Sequence, residues 1–432
     1  MHEPWPASAI WDADDLTIAG VVASPLVERF GTPLVVYDEN EIRARMREFR
    51  SVFARVAYAV KAMTCAGIVR IALEEGLDLL CASGGEVATC LRAGAPAARI
   101  AMHGNAKTDE ELALAVDAGI GHVIVDDEAE LERLAATARS AGTVQPILLR
   151  VTPDVTVETH EAIATGHAES KFGVPLASAP VVARRASTTA GVRLDGVQAH
   201  AGSQLLDADA YIGVLDALIG VVREADVRPR IIDIGGGFGV RYGDELPLDV
   251  VALAAALHER LAAHGVVAEL QVEPGRAMIA NPGLTLYRVL SVKRAGGRTL
   301  VAIDGGMSDN LRPALYDAHH EIRAVAPRTG AMQTVTVVGR HCESGDVVAP
   351  SAELPADIER GDLVAVAATG AYTYPLASVY NRFGRPAVVG VRDGEPTLWV
   401  RREQHDDMDR LDVILGTPWD AAVPAAEGGA RS

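Results

Sequence analysis

Val56-Ala57-Tyr58-Ala59-Val60-Lys61 is the stretch whose reading decides the fold. It is a short run of apolar residues ending in a lysine, too short to be a core helix of its own. Runs of the same kind, rich in Val, Ile and Leu, recur at Leu77–Cys81, Arg99–His103, His122–Val125, Ile147–Val151, Gly196–His200, Ile231–Ile234 and Leu270–Glu273. Helical patterns lie between them. Thr108–Ala118 is one, and Asp249–His264 is another. A third, Glu128–Ala141, keeps Leu131, Leu134, Ala135 and Ala138 at helical spacing. Eight strands, most of them followed by a helix, predict an α/β chain built as a (β/α)8 TIM-type barrel of about 220 residues. A doubly wound open sheet is the competing reading of the same alternation.

The pattern changes after Pro282. Leu284–Val292, Thr299–Ile303, Thr334–Val338, Leu363–Ala367, Ala387–Val391 and Thr397–Val400 read as strands separated by turn residues. They predict a C-terminal β domain. Leu34–Tyr37 reads as a strand ahead of the barrel that pairs with this β domain and so brings the chain ends together. The expected division is a barrel over residues 40–280 and a β-rich unit from 1–39 and 281–416. Residues 417–432, rich in Ala, Gly and Pro, are expected to be a disordered tail.

Composition narrows the function. The chain has 432 residues, 49% of them apolar and only 4% aromatic, so aliphatic and Ala-rich packing must fill the core. Its formal net charge is −18, which argues against nucleic acid and against an anionic membrane surface as partners. No apolar stretch approaches the ~18 residues of a membrane span. Met1-His2-Glu3-Pro4 does not open a secretion signal. Cys65, Cys81, Cys90 and Cys342 have neither C-x-x-C spacing nor paired histidines, so no metal site and no disulfide framework is expected. A cytoplasmic soluble enzyme is the reading that remains.

In a barrel, catalytic residues sit at the C-terminal ends of strands, and phosphate is often held after strands 7 and 8. Lys61 ends the first strand, where a Schiff base with an aldehyde cofactor would need an amine; the plainer reading is a lysine reaching solvent. Strand 6 ends in His200-Ala201-Gly202-Ser203-Gln204. A flat imidazole there can stack on a planar ring, and Ser203 can donate to a phosphate. A lone histidine in such a place is more often simply part of the core. Strand 7 ends in Asp233-Ile234-Gly235-Gly236-Gly237, where glycines let backbone N–H groups close on a phosphate. Strand 8 ends in Glu273-Pro274-Gly275-Arg276. A carboxylate there can face a pyridine nitrogen, or it can merely pair with the arginine. What weighs for function is that Lys61, His200, the glycines and Glu273 all fall at the same end of separate strands. Beyond the barrel, Cys342 beside Glu343 is a candidate proton donor, since an ordinary thiol keeps its proton at neutral pH, or else a structural cysteine.

These segments together resemble the fold type III pyridoxal-phosphate (PLP) decarboxylases, whose barrel is like that of alanine racemase. The likeness runs from Phe30-Gly31-Thr32-Pro33 to about Glu403. It includes Tyr58-Ala59-Val60-Lys61-Ala62, Ser83-Gly84-Gly85-Glu86, His103-Gly104-Asn105 with Lys107, Ser170-Lys171-Phe172-Gly173, Arg312-Pro313-Ala314-Leu315-Tyr316 and Cys342-Glu343-Ser344. The resemblance implies a PLP cofactor bound covalently by Lys61, stacked by His200 and paired at its ring nitrogen with Glu273. It implies phosphate contacts from Ser203, Gly236, Gly237, Gly275 and Arg276. It makes Arg276, Arg312 and Tyr316 ligands of a distal substrate carboxylate, with Tyr372 touching cofactor or substrate. It makes Cys342 the proton donor to the reacting carbon and Glu343 the reader of a distal ammonium group, both supplied across a homodimer interface. The motifs sit closest to the branch acting on meso-2,6-diaminopimelate. Decarboxylation of a related amino acid or a carboxylated polyamine, racemisation, and non-enzymatic PLP carriage are the alternatives. In three places the chain departs from the family. Leu80 stands where an acid near the cofactor is usual, with Asp78, on the same strand face, its expected substitute. Thr373-Tyr374-Pro375-Leu376-Ala377-Ser378-Val379-Tyr380-Asn381 is poorer in Ser and Asn than the usual segment after Tyr372, and Thr152-Pro153-Asp154 stands where Asn-Pro-Asp is common.

Overall fold

The computed structural model describes residues 4–12, 14–154, 171–328, 330–413 and 415. The expected tail at 417–432 and Ser170 of the Ser-Lys-Phe-Gly motif lie outside the described residues.

All eight expected barrel strands form, as Arg55–Ala59, Asp78–Cys81, Ile100–Met102, His122–Val125, Gln145–Thr152, Val192–Ala199, Ile231–Asp233 and Glu269–Val272. Every neighbouring pair is parallel. Strand 4 pairs with strand 5 through Val123–Ile147, Ile124–Leu148 and Val125–Leu149. Strand 8 pairs with strand 1 through Gln271–Arg55 and Val272–Val56. The ring is therefore closed, and the open-sheet alternative falls. Ala57, Ala59, Leu80, Ala101, Ile124, Leu148 and Ile231 form a compact buried cluster of their own among these strands.

The helices begin and end where local chemistry dictates. Thr108 caps Asp109–Ala118 in a box with Glu111, and Gly119 closes that helix in a left-handed turn. Asp127 caps Glu128–Ser140, and Asp249 caps Val250–Ala263. The buried faces of these helices join the large apolar cluster that surrounds the barrel.

A second sheet is built on Gly283–Ala295, which pairs with Arg298–Ile303 and with Leu363–Val366. Leu34–Asp38 lies antiparallel to Gly283–Ala295 and parallel to Ala387–Arg392, so the strand ahead of the barrel does enter this sheet. Two strands of this sheet escaped the sequence reading. Val347–Pro355 carries Pro350 and Pro355 and lies at the sheet edge, where proline costs no ladder bond. Ile322–Ala324 has only three residues, too few for a period to show.

The segment Gly370–Tyr372, anchored in the second sheet, reaches the barrel mouth. Tyr37 donates a buried hydrogen bond to the Gly370 carbonyl at 2.6 Å and stacks on Trp399 at 5.5 Å. Two residues beyond Gly370, the Tyr372 N–H donates to the Ala62 carbonyl at 2.9 Å, next to Lys61. Among the described residues, no helix is long and apolar enough to cross a membrane. Replacing Tyr37 with Phe leaves the Gly370 carbonyl buried without its donor and is expected to cost about 1–3 kcal/mol. Urea unfolding of the Y37F protein measures this, and an unchanged midpoint would show that this tie carries no load.

Candidate active site

Barrel closure sets eight C-terminal strand ends on one rim, and the expected residues gather there. Lys61 lies on the turn Val60–Ala62, just past strand 1 rather than in it, and is exposed. His103 follows strand 3, Arg150 is in strand 5, His200 follows strand 6, and Glu273 follows strand 8. The charge of Lys61 acts on His103, His200, Glu86 and Glu273, which places all four around it.

Glu273 is buried. Its Oε2 accepts from Gln198 Nε2 at 3.1 Å, whereas no described group donates to Oε1. Burial raises its pKa well above the carboxylate range, and the neighbouring Asp233 raises it further. Arg150 and Lys61 pull the other way. Asp233 is itself held by Gly235 N–H at 2.8 Å and by the Gln271 amide. Two carboxyls buried side by side cannot both ionise cheaply, so the pair retains a proton.

The glycine run is a matter of space. A Cβ on Gly236 would lie 2.2 Å from the Glu273 carbonyl, and one on Gly237 would lie 2.1 Å from the Gly202 carbonyl. Only glycine lets the loop after strand 7 wedge between the loops after strands 6 and 8. Gly236 N–H donates to His200 Nδ1 at 3.2 Å, which fixes that imidazole as an acceptor on this side. Burial lowers the His200 pKa to about 3, with Lys61 and Arg150 adding to the effect. The ring is therefore neutral.

A second group lies beside the first. Arg276 Nη1 donates to the Tyr242 hydroxyl at 2.6 Å and Nη2 to Ser203 Oγ at 3.1 Å. Its guanidinium lies over the Tyr372 ring at 4.9 Å. Gly275 is hemmed in by Ala59, Ala62 and the Tyr372 hydroxyl. Tyr372 itself has φ 58°, a left-handed backbone that a tyrosine rarely adopts. Arg312 stands over Tyr242 at 5.2 Å and near Tyr316 at 6.0 Å. Both arginines are buried. Among the described residues neither has a carboxylate at ion-pair distance. Burial lowers the pKa of Arg312, and the charge of Arg276 lowers it further. Burying two cations together without an anion costs several kcal/mol, so this pocket is built to receive one.

One expectation is corrected. Asp78 does not replace the missing acid at position 80. It opens its strand, at the far end of the barrel from the rim, and pairs with Arg55 at 2.7 Å and Arg99 at 3.4 Å. Two residues along one strand share a face but not a depth, which the alternation argument overlooked. Leu80 is buried in the cluster with Ala57 and Ala59. Cys342 and Glu343, expected to serve the site of a partner subunit, show no hydrogen bond or ion pair to Lys61 of their own chain among the described residues. Both are exposed, in a loop anchored by the buried Asp346, which accepts from His341 N–H at 2.9 Å and Met307 N–H at 2.7 Å. Cys342 N–H donates to Asn381 Oδ1 at 2.9 Å, and the Tyr380 hydroxyl reaches Glu343 at 3.5 Å.

Other residues at the rim were not singled out by sequence. Arg150 is buried, lies 3.6 Å from Asp126, and stacks over Phe172 at 4.3 Å. A charge inside the run Ile147–Val151 was the available signal. Gln198 and Asp233 were equally polar breaks in apolar strands. Tyr242 lies in a polar loop and gave no signal.

The neutral histidines at the rim have a measurable consequence. His200 is held at about 3 and His103 well below the usual histidine value. Unfolding returns both to about 6.5, so the stability they contribute is present above that pH and is lost as pH falls toward 3. Side-chain 15N shifts of His200 at pH 5 are expected to be those of a neutral imidazole, and an imidazolium signature there would contradict this assignment.

Comparison with known proteins agrees with the geometry. Residues 39–280 match the family model described as pyridoxal-dependent decarboxylase, pyridoxal binding domain. The chain is 44% identical over 419 residues to a diaminopimelate decarboxylase of Actinosynnema pretiosum subsp. auranticum, covering 95% of each protein. It is 43% identical over 436 residues to that of Mycobacterium tuberculosis strain H37Rv, covering 95% of this chain and 97% of the relative. The crystal structure of diaminopimelate decarboxylase from M. jannaschii in co-complex with L-lysine superposes with a TM-score of 0.90 at 30% identity, over 95% of this chain and 99% of that one. The closed parallel barrel, the lysine on its rim and these likenesses make the chain a member of the pyridoxal-dependent decarboxylase family, a fold type III enzyme that works with PLP.

Proposed function

We propose that the chain decarboxylates meso-2,6-diaminopimelate to L-lysine and CO2. The observation that carries this reading is the buried pair Arg276 and Arg312, which lacks a carboxylate partner among the described residues. Diaminopimelate keeps a second carboxylate far from the reacting carbon. Ornithine and lysine have a single carboxylate, so when it is placed at the reacting centre for decarboxylation none is left to neutralise this pocket.

The residues at the rim fit PLP. Glu273 Oε1 is a buried acceptor without a donor, as a ring N–H would require. Lys61 would hold the cofactor covalently, and His200 would lie against its ring. Ser203, Gly236, Gly237, Gly275 and Arg276 would hold its phosphate, with Tyr372 closing over it. Bound there, PLP supplies a conjugated ring that accepts the electron pair of the Cα–carboxylate bond as CO2 leaves.

The remaining work falls to the chain. Glu273, which keeps a proton while no cation stands against it, would share that proton with the ring nitrogen through Oε1. Neutral His200 adds no second positive charge to the ring face. Arg312 with Tyr316, and Arg276 from the other side, orient the substrate through its distal carboxylate. Cys342 Sγ delivers one proton to Cα, so one proton enters for each CO2 that leaves. Cys342 and Glu343 are exposed, and we assign them to the site of a partner subunit in a homodimer. Glu343 then reads the distal ammonium group. Residence in the cytoplasm is part of the same proposal. It is supported by the sequence, whose four cysteines show no disulfide framework.

CO2 release from meso-diaminopimelate, L-ornithine and L-lysine tests the substrate. Turnover of the first alone is expected, and faster turnover of either monocarboxylate overturns the reading. Arg312→Met is expected to lower kcat/KM for diaminopimelate by about 100-fold or more, through the buried charge-assisted contact it removes. Cys342→Ala is expected to keep the PLP absorbance yet lose roughly 100- to 10,000-fold in kcat. Near-normal turnover in that variant would remove Cys342 from the reaction.

A further inference from the structure

His320 follows the Arg312–Tyr316 helix by four residues and is not used in the mechanism above. It is buried. Its Nδ1 lies 2.8 Å from the Ala367 carbonyl, so Nδ1 carries the proton and donates it there. Nε2 is then a bare lone pair. That atom is also buried and has no hydrogen-bond partner. The ring meets Tyr242 edge-on at 5.6 Å. Tyr242 is the same ring that lies under Arg312 and bonds Arg276. The cations that reach His320 are Arg312 first and Arg276 after it, with His319 beside them. A buried acceptor without a partner therefore lies within electrostatic reach of two guanidiniums that have no carboxylate partner among the described residues.

We propose that His320 is a positioning residue for substrate selection, whose lone pair and contact with Tyr242 hold Arg312 in place for the distal carboxylate. This rests on the substrate reading given above. The physical case is one of charge. Among the described residues no carboxylate offsets Arg312; the groups shown against it are the faces of Tyr242 and Tyr316, and His320 meets that same Tyr242 ring with its own Nε2 lone pair unengaged. A carboxylate at this position would neutralise the pocket and weaken its hold on a substrate anion. A neutral imidazole steadies the cation and leaves its charge for the ligand. One end of the imidazole is fixed to Ala367, beside the segment that carries Tyr372, so the ring also links the two arms of the pocket.

His320→Asn separates the two ends of the ring. Its amide can still donate to Ala367 as Nδ1 does, but it cannot reach the position of Nε2. His320→Gln places an amide oxygen near that position. The ligands are L-lysine, which retains the distal carboxylate, and cadaverine, which lacks it, each titrated by absorbance on PLP-loaded protein. H320N is expected to bind L-lysine about tenfold more weakly, with cadaverine within twofold of the parent and the PLP spectrum unchanged. H320Q is expected to recover L-lysine binding to within threefold. Equal losses for both ligands would mark a merely structural residue and overturn the proposal, as would an unaltered L-lysine titration in H320N or no recovery in H320Q. If the parent protein fails to release CO2 from diaminopimelate, the substrate reading falls. The contrast between the two ligands still judges His320.

Discussion

A carboxyl buried without a cation against it keeps its proton, and Glu273 is placed to do so. Asp233 stands behind it, Gln198 occupies one oxygen, and the other oxygen has no donor among the described residues. The rest of the rim is consistent with this one constraint. Lys61 and Arg150 bring positive charge near enough to be felt at Glu273, but not enough to reverse the effect of burial. The same two cations, together with burial, keep His200 neutral. The rim thus holds an amine, a neutral aromatic ring and a proton-holding acid within reach of one another. That set is what a pyridine aldehyde needs to be bound covalently, stacked and protonated.

The second constraint has the opposite sign. Arg276 and Arg312 are buried against rings and hydroxyls, with no carboxylate at ion-pair distance among the described residues. A protein that wanted stability alone would place a carboxylate there or remove the charge. Retaining both guanidiniums makes the pocket less stable when empty and selective when filled. The two constraints meet at Arg276. It reaches Ser203 on the side proposed for the cofactor and shares Tyr242 with Arg312 on the side proposed for the substrate.

Much of this was legible in the sequence because barrel strands are short apolar runs with a fixed functional end. The eight runs gave the strands, and their last residues gave Lys61, His200, the glycines and Glu273. The strand at Leu34–Asp38 was legible from its apolar run before the barrel. Three kinds of fact were not legible. Depth along a strand was one: Asp78 and Leu80 share a face, yet Asp78 joins an ion-pair network with Arg55 and Arg99 away from the rim. Edge strands were another, since Val347–Pro355 tolerates prolines that a central strand would not. The third was the inward charge. Arg150, Gln198 and Asp233 break apolar runs, but only closure of the sheet shows that these breaks face a common site.

The central claim is that one lysine among few is chemically singled out by its surroundings. The chain has four lysines, at positions 61, 107, 171 and 293. Lys107 is buried against Glu130 at 2.7 Å, Lys171 lies over the Phe172 ring, and Lys293 is exposed on the long strand Gly283–Ala295. The most direct measurement is to load the protein with PLP, reduce with borohydride, digest it, and map the modified peptide by mass spectrometry. A phosphopyridoxyl group on Lys61 alone is the expected result. Modification spread over the exposed lysines, or absent from Lys61, would contradict the account.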